Sequence, residues 1–306
     1  MRTPIALLAA AALFAQETPT FRTDVNLVTV SFTVRNARGV LISDLTRDNF
    51  EILEDGVEQP VKYFARHSDL PLTLALVIDS SGSQREFVKA HRRDIKTFLK
   101  RILQPRDRVL LVGFANRVTL ITDFTSSYDK LLDNLEEYHD RDRGFFDLGP
   151  QEIRISGSAF YDGIYHAADE KLKNVESRKA IIVFSDGEDN ASAHHMMDAI
   201  EIAQNVGAPV YGIRYTETRR GRVTARNKYG TAVMRRIGLE TGGRDFDANE
   251  ESVESAFRQI GEELRSMYEI GYISTKPQPD GLFRKITIRP KIEGLQVRAK
   301  TGYYAR

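Results

Sequence analysis

Cysteine is absent from the 306 residues, which excludes disulfides, thiolate metal sites, catalytic thiols and a lipid-modified N-terminal cysteine. An excess of one charge is also absent, because 44 Lys and Arg residues stand against 43 Asp and Glu residues. No global field therefore favours nucleic acid or an anionic membrane, and charged recognition must come from local patches. Beyond the N-terminal segment, no apolar run is long enough to predict a membrane span.

The N-terminal segment has the pattern of a signal peptide. Arg2 precedes the apolar run from Ile5 to Phe14, which is shorter than the roughly 20 helical residues that span a bilayer. We expect residues 1–16 to be a signal peptide and the protein to be periplasmic, secreted or on the cell surface. An uncleaved anchor or a cytosolic tail is the alternative.

Two β segments are predicted at the ends of the chain. Val28, Val30, Phe32 and Val34 alternate with polar residues, the period of two that indicates a strand with one buried face. Residues 269–306 show the same alternation around a Pro-Asp-Gly turn. Because small sheets bury too little surface alone, we expect residues 17–68 and 269–306 to pair into one β-sandwich. Two separate β appendages are the alternative.

The middle of the chain, residues 69–268, has a different texture. Apolar runs without alternation are typical of strands buried on both faces, and they occur at Leu72–Ile78, Val109–Phe114, Ala180–Phe184 and Pro209–Ile213. Segments with helical spacing separate them, and a last helix is expected at about residues 251–267. This alternation predicts an α/β fold: a doubly wound, mostly parallel sheet flanked by helices.

Three polar segments lie where ligands bind in such sheets, beyond the carboxyl ends of strands. The first buried strand runs into Asp79, Ser81 and Ser83, in the pattern D-x-S-x-S. Asp186 ends a second strand, and Ser158 begins the helix between them. Carboxylate and hydroxyl oxygens are hard ligands that suit Mg²⁺, Mn²⁺ or Ca²⁺. For any one of these residues, ordinary turn and cap chemistry is the alternative.

The three segments, in their order along the chain, resemble the metal-ion-dependent adhesion site of von Willebrand factor type A domains. The resemblance covers about Leu70 to Tyr268. It implies that Ser81 and Ser83 are direct hydroxyl ligands, that Ser158 stands where the family usually has threonine, and that Asp79 and Asp186 bind directly or through water. The flanking segments resemble a bacterial subgroup, the acidobacterial VWFA-related proteins.

The resemblance also implies a function. We expect an exported, non-catalytic protein whose divalent cation, Mg²⁺ before Mn²⁺ or Ca²⁺, binds a partner protein through an exposed Asp or Glu side chain. A basic segment after the strand at Pro209–Ile213 is expected on the same edge as the metal, with a solvated charged loop as the alternative; its residues are Arg219, Arg220, Arg222, Arg226 and Lys228.

Two other functions stay open at this point. The protein would be a structural component of the envelope if the β-sandwich did the binding, and it would be a metal-dependent phosphohydrolase if Asp79 were a nucleophile. Against the phosphohydrolase, the chain has no aspartate two residues after Asp79. It also contains neither the G-x-S-x-G motif of hydrolases nor the G-x-x-x-x-G-K-[ST] loop of nucleotide-binding enzymes. His194 and His195 are expected to be solvated, because adjacent helix residues do not share a face.

Overall fold

The computed structural model describes residues 27–66, 70–140, 146–148, 157–216, 218–219 and 222–306, so the predicted signal peptide lies outside it. The strands, in chain order, are β1 Leu27–Arg35, β2 Phe50–Glu54, β3 Val57–Glu58, β4 Val61–Arg66, β5 Leu72–Asp79, β6 Arg108–Phe114, β7 Val118–Thr125, β8 Phe146–Leu148, β9 Arg178–Ser185, β10 Val210–Arg214, β11 Thr218–Arg219, β12 Arg222–Val223, β13 Arg244–Asp247, β14 Tyr268–Ile273, β15 Phe283–Pro290, β16 Gln296–Ala299 and β17 Gly302–Tyr304.

The helices are α1 Val88–Ile102, α2 Tyr128–Asp140, α3 Phe160–His166, α4 Met196–Val206, α5 Ala225–Thr241 and α6 Val253–Arg265. Two 3₁₀ turns occupy Arg47–Asn49 and Gly82–Phe87, and a π-helical turn, Ala167–Leu172, continues α3. Within the described ranges, no helix is both long enough and apolar enough to cross a membrane.

The central sheet has seven strands in the order β13-β10-β9-β5-β6-β7-β8. The first five are parallel, and β7 and β8 are antiparallel additions at one edge. Every residue of β5 is buried, with Leu74 and Leu76 in one core and Ala75 and Val77 in the other. Since successive side chains of a strand point to opposite faces, a strand covered on both sides needs an unbroken apolar run.

Three helices cover each face of this sheet. Apolar residues of α1, α2 and α6 pack into one core, and those of α3, α4 and α5 pack into the other. The helix expected at residues 251–267 is α6, which begins after Ser252, whose side chain accepts a hydrogen bond from the Ser255 amide. The predicted doubly wound, mostly parallel α/β sheet is therefore confirmed.

Two four-stranded antiparallel sheets form a β-sandwich beside it. Their strand orders are β16-β1-β14-β4 and β17-β15-β2-β3, so each sheet combines strands from both ends of the chain. Phe32, Phe50 and Tyr268 meet in the shared core, with ring centroids 5.0 to 5.8 Å apart. The two β segments form one unit, and the alternative of separate appendages is wrong.

Candidate metal centre

Asp79 is the last residue of β5 and is fully buried. Its Oδ1 accepts a hydrogen bond of 2.9 Å from the Ser81 amide, which folds the chain into the turn that follows the strand. The hydroxyl oxygens of Ser81 and Ser83 lie 3.2 Å apart. The D-x-S-x-S segment therefore gathers one carboxylate and two hydroxyls at the carboxyl end of the central strand.

Asp186 lies beside Asp79 because β9 pairs with β5 in parallel. The Ser185 hydroxyl at the end of β9 donates a hydrogen bond of 2.6 Å to Asp79 Oδ2. Asp186 is the next residue after Ser185. Burial, and then the charge of Asp186, raises the pKa of Asp79 to about 7. The structure thus brings the two predicted carboxylates to one buried location.

Ser158 is held against the segment that follows Asp186. At Gly157, where φ is +153°, an added Cβ would lie 2.5 Å from the Ala191 Cβ, so the close approach requires glycine. The Ser158 carbonyl accepts the amides of Asn190 and Ala191 at 3.0 and 3.1 Å. The Ser158 hydroxyl donates a hydrogen bond of 2.8 Å to the Glu188 carbonyl oxygen. Because that hydroxyl donates its proton, its oxygen lone pairs remain for a cation.

Gln84, in the turn Gly82–Phe87, is a site residue that the sequence reasoning missed. Its Nε2 donates to Asp186 Oδ2 at 2.9 Å and to the Tyr215 carbonyl at 3.3 Å. Its buried Oε1 has no hydrogen-bond partner within the part of the chain that the structure describes. No local signal distinguishes this glutamine, because its partners lie 102 and 131 residues away.

Gly230 on α5 is a second residue beside the site that was not predicted from the sequence. A Cβ at Gly230 would overlap the Asp186 carbonyl oxygen, and a Cβ at Gly187 would lie 2.5 Å from the Gly230 carbonyl. Gly187 also has φ of +80°, in the left-handed region that favours glycine. Helix α5 therefore packs directly on the backbone that carries Asp186.

The donor set fits a hard divalent cation. Two neighbouring carboxylates are buried, and their hydrogen bonds among the described residues come from neutral groups: the Ser81 and Glu188 amides, the Ser185 hydroxyl and the Gln84 side-chain amide. Buried like charges without a countercharge are costly. Carboxylates together with hydroxyls are the oxygen ligands that Mg²⁺ prefers.

The predicted basic segment is described only in part. Arg219 and Arg222 belong to the β11–β12 hairpin, and Lys228 lies exposed on α5. Arg220 and the side chains of Arg219, Arg222 and Arg226 lie outside the described residues. The position of the basic segment at the edge of the metal centre thus remains a prediction.

The expectation that His194 is solvated is wrong. Its side chain is 27% exposed, and Nδ1 lies 2.8 Å from Asp162 Oδ1. The ring stacks on Tyr165 with a centroid distance of 3.6 Å. The sequence around His194 gives no sign of these contacts, because they come from α3, about 30 residues earlier.

Carboxylates and hydroxyls at the carboxyl ends of adjacent parallel strands, in a doubly wound sheet with three helices on each face, define a Rossmann-like domain with an oxygen-rich ligand edge. Residues 74–188 match the family model of the von Willebrand factor type A domain. The expected resemblance to a von Willebrand factor type A domain is therefore confirmed for this segment.

Several solved structures are similar to this chain. An aerotolerance-related membrane protein from Bacteroides fragilis is 20% identical, with a TM-score of 0.48 over 63% of this chain and 98% of its own. The von Willebrand factor domain of the pilus tip protein Mfa5 from Porphyromonas gingivalis is 13% identical, with a TM-score of 0.42 over 63% and 94%.

A proximal thread matrix protein of the mussel byssus, with zinc in its metal-ion-dependent adhesion site, is 15% identical, with a TM-score of 0.49 over 68% of this chain and 48% of its own. Among the curated proteins, none matches significantly.

Proposed function

We propose that this protein binds a partner protein through a divalent cation held by a five-residue site, namely Asp79, Ser81, Ser83, Ser158 and Asp186. The observation that carries the proposal is the burial of Asp79 beside Asp186, with only neutral hydrogen-bond donors among the described residues. Two buried carboxylates repel each other, and a divalent cation between them replaces that repulsion with coordination.

The cation we propose is Mg²⁺, with Mn²⁺ and Ca²⁺ as alternatives of the same hard class. Mg²⁺ takes about six oxygen ligands, so the five-residue site leaves at least one position in the shell. An Asp or Glu side chain of the partner would fill it with a charge-assisted bond in a partly desolvated location. Binding would then depend on the metal and on the surface around the site.

The arrangement of Asp79 favours binding over phosphohydrolysis. Its side chain is fully buried, and its two oxygens accept hydrogen bonds from the Ser81 amide and the Ser185 hydroxyl. A nucleophilic carboxylate must reach the substrate with a lone pair, and this geometry points both oxygens of Asp79 at the protein. The same geometry suits a carboxylate that anchors a cation through a water ligand, one of the two modes expected for Asp79.

We also propose that the protein is exported and belongs to the acidobacterial VWFA-related subgroup. The support for export is the apolar N-terminal segment, residues 1–16. Expression of the full chain in a bacterial host, fractionation and N-terminal sequencing test it. We expect mature protein outside the cytoplasm that starts after the leader; full-length protein in the cytosol alone would contradict export.

The experiment that tests the function is capture of partners from an envelope extract in Mg²⁺ or in EDTA. We expect wild type to capture proteins in Mg²⁺ that it loses in EDTA and that the Ser81→Ala/Ser83→Ala variant loses in both. The matched control is Ser126→Ala/Ser127→Ala, because these exposed serines lie before α2. Capture that ignores both chelator and the Ser81/Ser83 change would favour binding through the β-sandwich instead.

A further inference from the structure

A second cluster of metal-ligating side chains lies near the five-residue site but shares no member with it. Asp162, His166 and His194 each place one ligand atom within 4.8 Å of the other two. Asp162 and His166 are four residues apart on α3 and therefore share a face of that helix, while His194 belongs to the segment between β9 and α4. The cluster joins two separate elements of the fold.

The protein fixes the positions of Asp162 and His194. Asp162 Oδ2 accepts the Ala193 amide at 2.8 Å, and its Oδ1 accepts the His194 amide at 2.9 Å. The same Oδ1 lies 2.8 Å from His194 Nδ1. Tyr165 stacks on the imidazole at an interplanar angle of 13°. His194 is therefore held in one orientation toward the carboxylate.

His166 is prepared in a different way. It is buried, and its Nδ1 lies 2.7 Å from Glu170 Oε1. With Nδ1 bound to this carboxylate, Nε2 remains as the ligand atom of a neutral imidazole. A carboxylate behind a histidine ligand is the usual outer arrangement at zinc sites, because it sets the tautomer and raises the basicity of the ring. The π-helical turn begins at the next residue, Ala167, and such turns recur at functional sites.

We propose that Asp162, His166 and His194 form a second metal site, for Zn²⁺ or a similar transition-metal ion. Two imidazoles and one carboxylate suit Zn²⁺, whereas Mg²⁺ prefers oxygen ligands. Ligands about 2.0 to 2.1 Å from a tetrahedral ion lie about 3.3 Å apart. Binding therefore replaces the proton between His194 Nδ1 and Asp162 Oδ1 and widens that pair by about half an ångström.

His194 lines a cavity, and coordination at the cluster would have a structural consequence. A cavity of about 110 Å³ reaches His194 and Tyr165 and is also lined by the acidic residues Asp198 and Glu201. Coordination would clamp α3 to the segment that follows Asp186, because the three ligands come from both. The clamp lies close to Ser158, which is two residues before the start of α3, but it uses different ligands and does not depend on the five-residue site.

The test is a Zn²⁺ titration by calorimetry on the metal-free full chain in excess Mg²⁺, with Co²⁺ absorption as a signature of imidazole ligation. We expect one Zn²⁺ per chain in wild type and at least about 10-fold weaker binding in His194→Gln and in Asp162→Asn. Asp162→Asn keeps an oxygen acceptor for one of the two backbone amides, and circular dichroism verifies that both variants fold.

Two controls locate the ion. His195→Gln changes an exposed neighbour in the same way, and Ser81→Ala/Ser83→Ala disables the five-residue site; both are expected to bind Zn²⁺ as wild type does. The proposal is overturned if wild type binds no Zn²⁺, if folded His194→Gln and Asp162→Asn bind it as tightly as wild type, or if the serine variant alone loses it.

Discussion

The Ser185 hydroxyl donates a hydrogen bond of 2.6 Å to Asp79 Oδ2 across the neighbouring strands β9 and β5. This contact supports a carboxylate that is buried beside Asp186 and whose pKa is raised by burial to about 7. A hydroxyl can also accept a hydrogen bond. Asparagine at position 79 would therefore keep this contact with the donor and acceptor exchanged.

Metal-free protein should lose stability as Asp79 ionises. In the folded protein the pKa of Asp79, about 7, lies above its ordinary value of 3.8. The stability contributed by the neutral carboxyl is therefore complete below pH 3.8 and is lost as pH rises through 7. The loss is about 1.4 kcal/mol per pH unit across this window. In EDTA, the free energy of unfolding of wild type, measured with denaturant from pH 5 to 8.5, should fall relative to that of Asp79→Asn. Parallel curves for the two proteins would disprove the raised pKa.

Gln84 should act as a positioning residue for Asp186. Gln84→Leu keeps a similar volume but removes the hydrogen bonds to Asp186 and to the Tyr215 carbonyl. Loss of such outer contacts weakens metal binding by roughly 10- to 100-fold, and Mg²⁺ calorimetry measures it. Gln104→Leu, an exposed change of the same kind, is the control. Equal Mg²⁺ affinity in Gln84→Leu and wild type would show that Asp186 needs no such support.

Glu263 on α6 should be essential for joining the two parts of the fold. Its buried carboxylate pairs with Arg35 and Arg298 of the β-sandwich at 2.8 and 3.2 Å and with Arg244 of β13 at 3.4 Å. Glu263→Gln would leave three arginines without their countercharge, which we expect to cost about 3 to 5 kcal/mol in the free energy of unfolding. Chemical denaturation measures this loss, and a change below about 1 kcal/mol would contradict it.

Lys300 should impose the opposite pH dependence. The Lys300 ammonium donates a hydrogen bond of 2.9 Å to the Gln204 carbonyl oxygen. Burial lowers the pKa of Lys300 from 10.5 to about 8. Between pH 8 and 10.5 the unfolded chain binds more protons, so folding stability rises with pH by about 1.4 kcal/mol per unit. The difference in unfolding free energy between wild type and Lys300→Met should rise from pH 7.5 to 10. A difference for Lys300→Met that stays constant over this range would contradict the lowered pKa of Lys300.

Local pattern was sufficient to predict four of the seven strands of the central sheet. The apolar runs marked β5, β6, β9 and β10 within about two residues, because a strand covered on both faces must be apolar at successive positions. It also predicted which segments meet at the ligand edge, because parallel strands bring their carboxyl ends together. The antiparallel strands β7 and β8 and the edge strand β13 were not predicted. For β8, Phe146–Leu148, the reason is that the charged sequence around it resembles a loop.

What could not be predicted depends on contacts between distant residues. Gln84 meets Asp186, Gly230 meets the backbone beside it, and His194 meets Asp162, and each partner is more than 30 residues away. Such pairs leave no period or spacing in the chain. The boundaries at residues 68 and 268, and the role of the five-residue site, stay predictions.

Calorimetric titration of Mg²⁺ into metal-free protein tests the central claim most directly. We expect wild type and the exposed control Asp129→Asn to bind one Mg²⁺ per chain, and Asp79→Asn to bind none while it stays folded. No binding by wild type, or the same isotherm for wild type and Asp79→Asn, would contradict a cation site at Asp79.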